Sequence, residues 1–196
     1  MIYLRTGVVL ACGCFFFGGC AGSKTSGSAG LDAQAAEGGG GTARPVEVQE
    51  ERWPNGELKL RAEGKRDDEG NFILHGLKTG YWETGRNKYK LHFFNGMRHG
   101  PRTAWYDSGQ IWSQGSFVNG KEHGTWTEWY PNGQKSRELH FDHGAWHGLH
   151  TEWHMNGQKR LEVEWVNGLR QGTQTVWDDE GNVIGRIEYV DGVEQP

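Results

Sequence analysis

Along residues 125–148 side chains alternate in steps of two. Thr127, Trp129, Arg137, Leu139 and Phe141 are odd-numbered, while Trp126, Glu128, Tyr130, Ser136, Glu138 and His140 are even. Such a period belongs to extended chain that buries one face and shows the other to water. Between the two runs stands Pro131-Asn132-Gly133, with Pro for the second position of a turn and Gly for a left-handed residue. A three-residue loop pairs Tyr130 with Gln134 and Trp129 with Lys135; a two-residue Asn-Gly turn is the alternative. Asp142 to Gly148 then brings the chain back, so the unit is one antiparallel β-hairpin.

The same pattern recurs with a period of 24: Gly85, Gly109, Gly133, Gly157, Gly181, and likewise Gly96, Gly120, Gly144, Gly168, Gly192. Tyr81, Trp105, Trp129, Trp153, Trp177 and Phe93, Phe117, Phe141, Trp165, Tyr189 keep that step, and the two series are half a period apart. One aromatic per strand predicts a continuous ladder on one face. A fixed period of this size is the mark of a repeat array. Five units run 77–100, 101–124, 125–148, 149–172 and 173–196. Residues 52–76 form a diverged first unit with extra residues around Asp67 to Asn71, as expected of a terminal cap. The predicted fold is all-β: an elongated array of antiparallel hairpins in a single curved sheet, roughly 50–58 Å long at about 4.8 Å per strand.

Before the array the pattern is different. Arg5 precedes the apolar run Gly7 to Gly19, too short to span a bilayer. A charged start, a short apolar stretch and Phe17-Gly18-Gly19-Cys20 resemble the signal peptide and lipobox of bacterial lipoproteins. That resemblance implies cleavage after residue 19 and acylation of Cys20, with Cys12, after Val9-Leu10-Ala11, as the alternative. Ala21 follows where inner-membrane retention calls for Asp, which implies an outer-membrane location. Cys12, Cys14 and Cys20 are the three cysteines of the chain, so the array carries no thiol. Residues 20–51 are rich in Gly, Ala and Ser and lack the apolar content to pack. They read as a flexible linker with a reach of roughly 30 Å.

Composition narrows the function. The 32 glycines and 10 tryptophans suit turn-rich β-structure, and a net charge of −4 argues against nucleic acid as a partner. Gly115 to Glu122 approximates a phosphate-binding loop, but Glu122 stands where Ser or Thr is required and a strand follows where a helix is needed. The sequence offers no paired nucleophile and base, so the protein is not expected to be an enzyme or to hold a cofactor. His140, His150 and His154 share the even parity and are the residues that would form a metal site if one existed; none is expected.

Glu128-Trp129-Tyr130-Pro131-Asn132-Gly133-Gln134-Lys135, followed by Phe141 and by Gly144-x-x-His147-Gly148, resembles the bacterial variant of the MORN repeat over about 77–192. The resemblance implies an elongated sheet of stacked hairpins. It also implies membrane proximity and protein scaffolding, or an antitoxin role in a toxin–immunity pair.

One ladder is enough for one packed face, yet Trp82, Phe94, Tyr106, Trp112, Trp126 and Tyr130 have the opposite parity. They are predicted to line an exposed protein-binding surface on units 77–148. Charge changes along the array as well: residues 52–106 hold 11 basic and 6 acidic side chains, residues 107–196 hold 7 and 14. The sequence thus predicts a lipid-anchored envelope scaffold for a protein partner, with a toxin-neutralising protein or a lipid- or glycan-contacting module as alternatives.

Overall fold

The computed structural model describes residues 44–196; Cys20 and most of the linker lie outside them. The fourteen strands among the described residues are β1 (Glu47–Arg52), β2 (Leu58–Arg66), β3 (Phe72–Tyr81), β4 (Asn87–Phe94), β5 (Met97–Trp105), β6 (Ile111–Val118) and β7 (Lys121–Trp129). They continue as β8 (Lys135–Asp142), β9 (Ala145–Trp146), β10 (Gly148–Trp153), β11 (Lys159–Val166), β12 (Leu169–Trp177), β13 (Val183–Val190) and β14 (Val193–Glu194). All belong to one open antiparallel sheet in chain order, with the short β9 paired to β8 beside β10. The expected all-β array of hairpins is what the described residues form.

Two turn types build each unit. In the first, Tyr130 N–H donates to the Gln134 carbonyl at 2.8 Å and Gly133 N–H to the Tyr130 carbonyl at 2.9 Å. Gly133 has φ of 86°, which glycine adopts without a Cβ penalty. Trp129 pairs with Lys135, so the loop has three residues. The second turn has two residues, both left-handed: Asn95-Gly96, Asn119-Gly120, His143-Gly144, Asn167-Gly168 and Asp191-Gly192. Positive φ at both central positions is the turn whose twist matches that of paired strands.

Neighbouring units are stitched at both ends. Gly120 N–H donates to the Arg98 carbonyl at 2.8 Å and Gly144 N–H to the Glu122 carbonyl at 2.8 Å. At the opposite edge, Tyr106 Oη donates to the Trp129 carbonyl at 2.7 Å and Tyr130 Oη to the Trp153 carbonyl at 2.8 Å. Trp82 Nε1 does the same to the Trp105 carbonyl at 3.2 Å.

The faces differ from simple parity. In each of the five regular units the strand after the three-residue loop carries one extra residue: Glu128 pairs with Arg137 and Trp129 with Lys135, leaving Ser136 as a β-bulge. Equivalent shifts fall at Gly80/Tyr81, Ala104/Trp105, Glu152/Trp153 and Val176/Trp177. A bulge moves everything beyond it by one step. Even residues of the first strand therefore share a face with odd residues of the second: Trp126 pairs with Leu139, and Gly124 with Phe141.

The better-packed face carries the buried Ala62, Ala104, Ser113, Phe117, Leu139, His150, Glu152, Val163, Gln174 and Tyr189. The other carries Thr79, Thr103, Thr127, Thr151 and Thr175, one per unit, cross-paired with Lys90, Gln114, Glu138, Glu162 and Arg186. The tryptophans of the 129 series lie on this threonine face, where Lys135 sits 5.6 Å from the Trp153 ring and Lys159 5.8 Å from Trp177. The single aromatic ladder expected from spacing is thus two columns on opposite faces.

The array also begins earlier than the composition suggests. β1 occupies Glu47–Arg52, all but its last residue inside the stretch read as linker, and pairs along β2 from Glu47↔Gly64 to Arg52↔Leu58. This strand buries little apolar surface. Its backbone ladder and the 3.1 Å Arg66–Glu47 ion pair hold it, neither of which leaves a hydrophobic pattern. The extra residues at 67–71 form a loop like the first turn, with Asp67 N–H donating to the Asn71 carbonyl at 3.0 Å.

Candidate functional site

On the packed face, positions a unit apart hold different chemistry. One column reads Lys78, Arg102, Trp126, His150, Gln174; the next reads Gly80, Ala104, Glu128, Glu152, Val176. The sheet holds these columns side by side, since Arg102 pairs with Gly115, Trp126 with Leu139 and His150 with Val163.

The centre of unit 101–124 is an aromatic and cationic patch. The Arg102 guanidinium lies 5.5 Å from the Trp112 ring and 5.4 Å from the Trp126 ring, and Nη1 donates to Ser113 Oγ at 2.9 Å. Burial pushes the Arg102 pKa down from its usual value, with the Glu128 charge acting in the opposite direction. Trp126 packs edge-on to Phe117 at 5.2 Å and Phe141 at 6.1 Å, and its Nε1 donates to the Ser116 carbonyl at 3.2 Å. Its indole lies on Gly115, where a Cβ would meet ring carbons at 2.2 Å. Only glycine permits that approach. Trp112 is the bulge residue of its strand and is 40% exposed. Nearby, the Arg98 guanidinium caps the Phe117 ring at 4.3 Å.

One unit further lies a charged cluster. Glu152 is buried, accepts a hydrogen bond from Arg160, and lies 3.1 Å from His150 Nε2 and 3.3 Å from Arg137 Nε. Arg137 also reaches Glu128 at 3.7 Å. The His150 hydrogen bond, helped by the Arg160 and Arg137 charges, outweighs burial and holds the Glu152 carboxyl below the usual value. His150 stacks edge-on to Trp146 at 5.1 Å, and Trp146 to Trp165 at 4.6 Å.

The six residues expected on one surface are divided. Trp112 and Trp126 come together, on the packed face and not on an outward one. Trp82, Tyr106 and Tyr130 are the inter-unit hydrogen-bond donors of the loop edge. Phe94 is 53% exposed at the opposite edge, with ring centroids 5.1 Å from His75 and 6.2 Å from His99. The bulge is the cause: it places Trp126 with Leu139 and Phe141, whereas parity placed it against them.

The histidines regroup for the same reason. His140 lies on the threonine face with Nδ1 3.0 Å from the Leu149 carbonyl, His150 is buried on the packed face, and His154 Nε2 is 2.9 Å from the Trp177 carbonyl at the loop edge. Those three do not converge. Glu138 and Glu152 are likewise on opposite faces.

Sequence reading missed the cluster of Arg137, Glu152 and Arg160 on one surface. The signal was present in the columns: a position that changes from Arg to Trp to His over three units is free of the frame's requirements. Two segments one period apart, residues 98–119 and 122–143, match the family model of the MORN repeat variant. The comparison with curated proteins gives no match. The Trp112–Arg102–Trp126 patch thus lies within two segments that are similar to the MORN repeat variant.

Proposed function

We propose that the protein is a lipid-anchored scaffold of the bacterial cell envelope, non-catalytic, that holds a protein partner on the packed face of its sheet. One observation carries this reading: the frame repeats while the packed face does not. Thr79, Thr103, Thr127, Thr151 and Thr175 are invariant, yet the adjacent column runs from Lys78 and Arg102 to Trp126 and His150. Identical units need identical frames, whereas a surface that must fit one partner needs unlike side chains along its length. Trp112 and Trp126 around Arg102 offer rigid aromatic area at low side-chain entropy cost, the usual anchor of a protein interface. Arg98, capping the Phe117 ring beside them, favours an acidic partner. Acylation of Cys20 and the linker that follows it would hold the array at the outer membrane.

A photoreactive phenylalanine analogue at position 112, in native envelopes, should crosslink to one protein, and the same analogue at 138 on the threonine face should not. Equal labelling from both faces would remove the packed face as the binding surface. The captured species separates the readings: a toxin makes the protein an immunity factor, and loss of liposome or sacculus binding on changing Trp112 makes it a lipid or glycan module. Labelled palmitate should enter the wild type and be absent from Cys20→Ser; label lost in Cys12→Ser instead would move the anchor.

A further inference from the structure

The two-residue turn of unit 125–148 departs from its four counterparts at adjacent positions. Its first left-handed residue is His143, with φ of 49°, where the other units use Asn95, Asn119, Asn167 and Asp191. Asn and Asp tolerate this conformation because their short side chains bond locally, and histidine does so less readily. The residue before it is Asp142, where the other units place Phe94, Val118, Val166 and Val190. An apolar position has become a carboxylate, and a turn-former has become an imidazole. Neither change serves the hairpin.

Both changes face the same neighbour. His123, from the preceding unit's side of the seam, lies with Nδ1 3.5 Å from Asp142 Oδ1, and His143 Nδ1 lies 2.6 Å from that same oxygen. One ligand atom from each of the three falls within 4.8 Å of the others, and the two imidazole centroids are 5.3 Å apart. His123 Nδ1 is shielded from solvent and has no hydrogen-bond partner, while in the first unit the equivalent His75 Nδ1 is 3.0 Å from Asn95 Oδ1. A buried ring nitrogen without a partner is costly unless something else meets it.

We infer that His123, Asp142 and His143 bind a divalent first-row transition ion of the zinc class. Imidazole nitrogen and carboxylate oxygen bind zinc at about 2.0–2.2 Å, which puts tetrahedral ligand atoms roughly 3.3 Å apart. The His123–Asp142 separation already matches, and the His143–Asp142 contact has to open by roughly 0.7 Å by that estimate. Two nitrogens and one hard oxygen favour zinc and its neighbours over calcium or magnesium, which prefer oxygen cages. Three protein ligands leave a fourth position to solvent or to a side chain of another molecule, since Asp142 and His143 are exposed. The ion would bridge β7 to the β8–β9 turn, across the seam where units 101–124 and 125–148 meet.

Replacements that other units already use at these positions supply the test. In His143→Asn, Asp142→Val and His123→Gln the new residues are those of Asn119, Val118 and Gln171, so each hairpin keeps a sequence the array folds. Zinc chloride is titrated calorimetrically into the detergent-solubilised full chain with its cysteines alkylated, and the metal-free melting temperature is recorded alongside. The wild type should take up one equivalent and melt at higher temperature with zinc. Each variant should bind at least about tenfold more weakly, a loss that even an outer-shell change can produce. The His143→Asn variant should melt without metal at or above the wild-type temperature. Zinc affinity unchanged in the His143→Asn/Asp142→Val double variant, or no uptake by the wild type, would overturn the site.

Discussion

Replacing Trp126 by alanine tests the assignment of faces directly. The indole rests on the Gly115 backbone, meets Phe117 and Phe141 edge-on, and donates from Nε1 to the Ser116 carbonyl. A tryptophan that buries about 200 Å² contributes up to about 5 kcal/mol at roughly 25 cal/mol per Å². Alanine keeps part of that burial and the unfolded chain is itself partly collapsed, which reduces the cost to about 3–4 kcal/mol. With a urea dependence near 2 kcal/mol per M, the midpoint should fall by about 1.5–2 M. Trp112→Ala, at a residue whose ring meets the Arg102 guanidinium and is 40% exposed, should cost about 1 kcal/mol. Far-UV circular dichroism is the readout, because it follows loss of the backbone ladder instead of tryptophan emission. Parity alone puts both residues on an outward face with equal and small costs. A midpoint shift for Trp126→Ala below about 0.3 M, or the reverse order of the two variants, would refute the bulge-based assignment.

Tyr130→Phe removes the hydrogen bond to the Trp153 carbonyl and should cost about 1 kcal/mol, read as a lower urea midpoint with faster amide exchange at the seam of units 125–148 and 149–172. Glu152→Gln should cost about 2 kcal/mol at neutral pH, because Arg137, Arg160 and His150 lose their shared carboxylate. Glu152 has a folded-state pKa below its unfolded value, so its stabilisation is present above about 4.5 and is lost as pH falls through the lower folded value. The acid limb of the stability curve should therefore be shallower in the variant, and an unchanged limb would show that Glu152 is not held ionised.

Much of the frame could be read in advance because glycine and proline report backbone conformation locally. The Pro131-Asn132-Gly133 loop, its Tyr130–Gln134 closure and the period of 24 need only the residues themselves. The bulge does not, since Lys135-Ser136-Arg137 contains nothing that demands one. Its cause is the three-residue loop followed by an extra residue, a register effect spread over both strands. Every error about faces follows from it: Trp126 placed outward, Trp129 and Phe141 joined in one ladder, His140 and His150 put side by side. Trp82, Tyr106 and Tyr130 were visible as a column, but a column of aromatics looks the same whether it pins neighbours or meets a partner. Only the hydrogen bonds to the Trp105, Trp129 and Trp153 carbonyls separate the two. The His123–Asp142–His143 group was hidden because His123 belongs to a consensus series, and its partners become visible only when the turns are compared position by position.

The bulge at the same place in every regular unit also governs how such a chain can change. A single inserted residue in a strand transfers everything up to the next turn to the wrong face, so length errors are heavily penalised. Removal or duplication of a whole 24-residue block restores the same pairing, the same bulge and the same threonine column at the junction. Excising 149–172, for instance, would delete His150 and Glu152 while joining Gly148 to Thr173 in an intact register. The array thus behaves as a cassette series, in which the number and order of units can vary by recombination and the chemistry on the packed face can be reassorted without redesigning the frame.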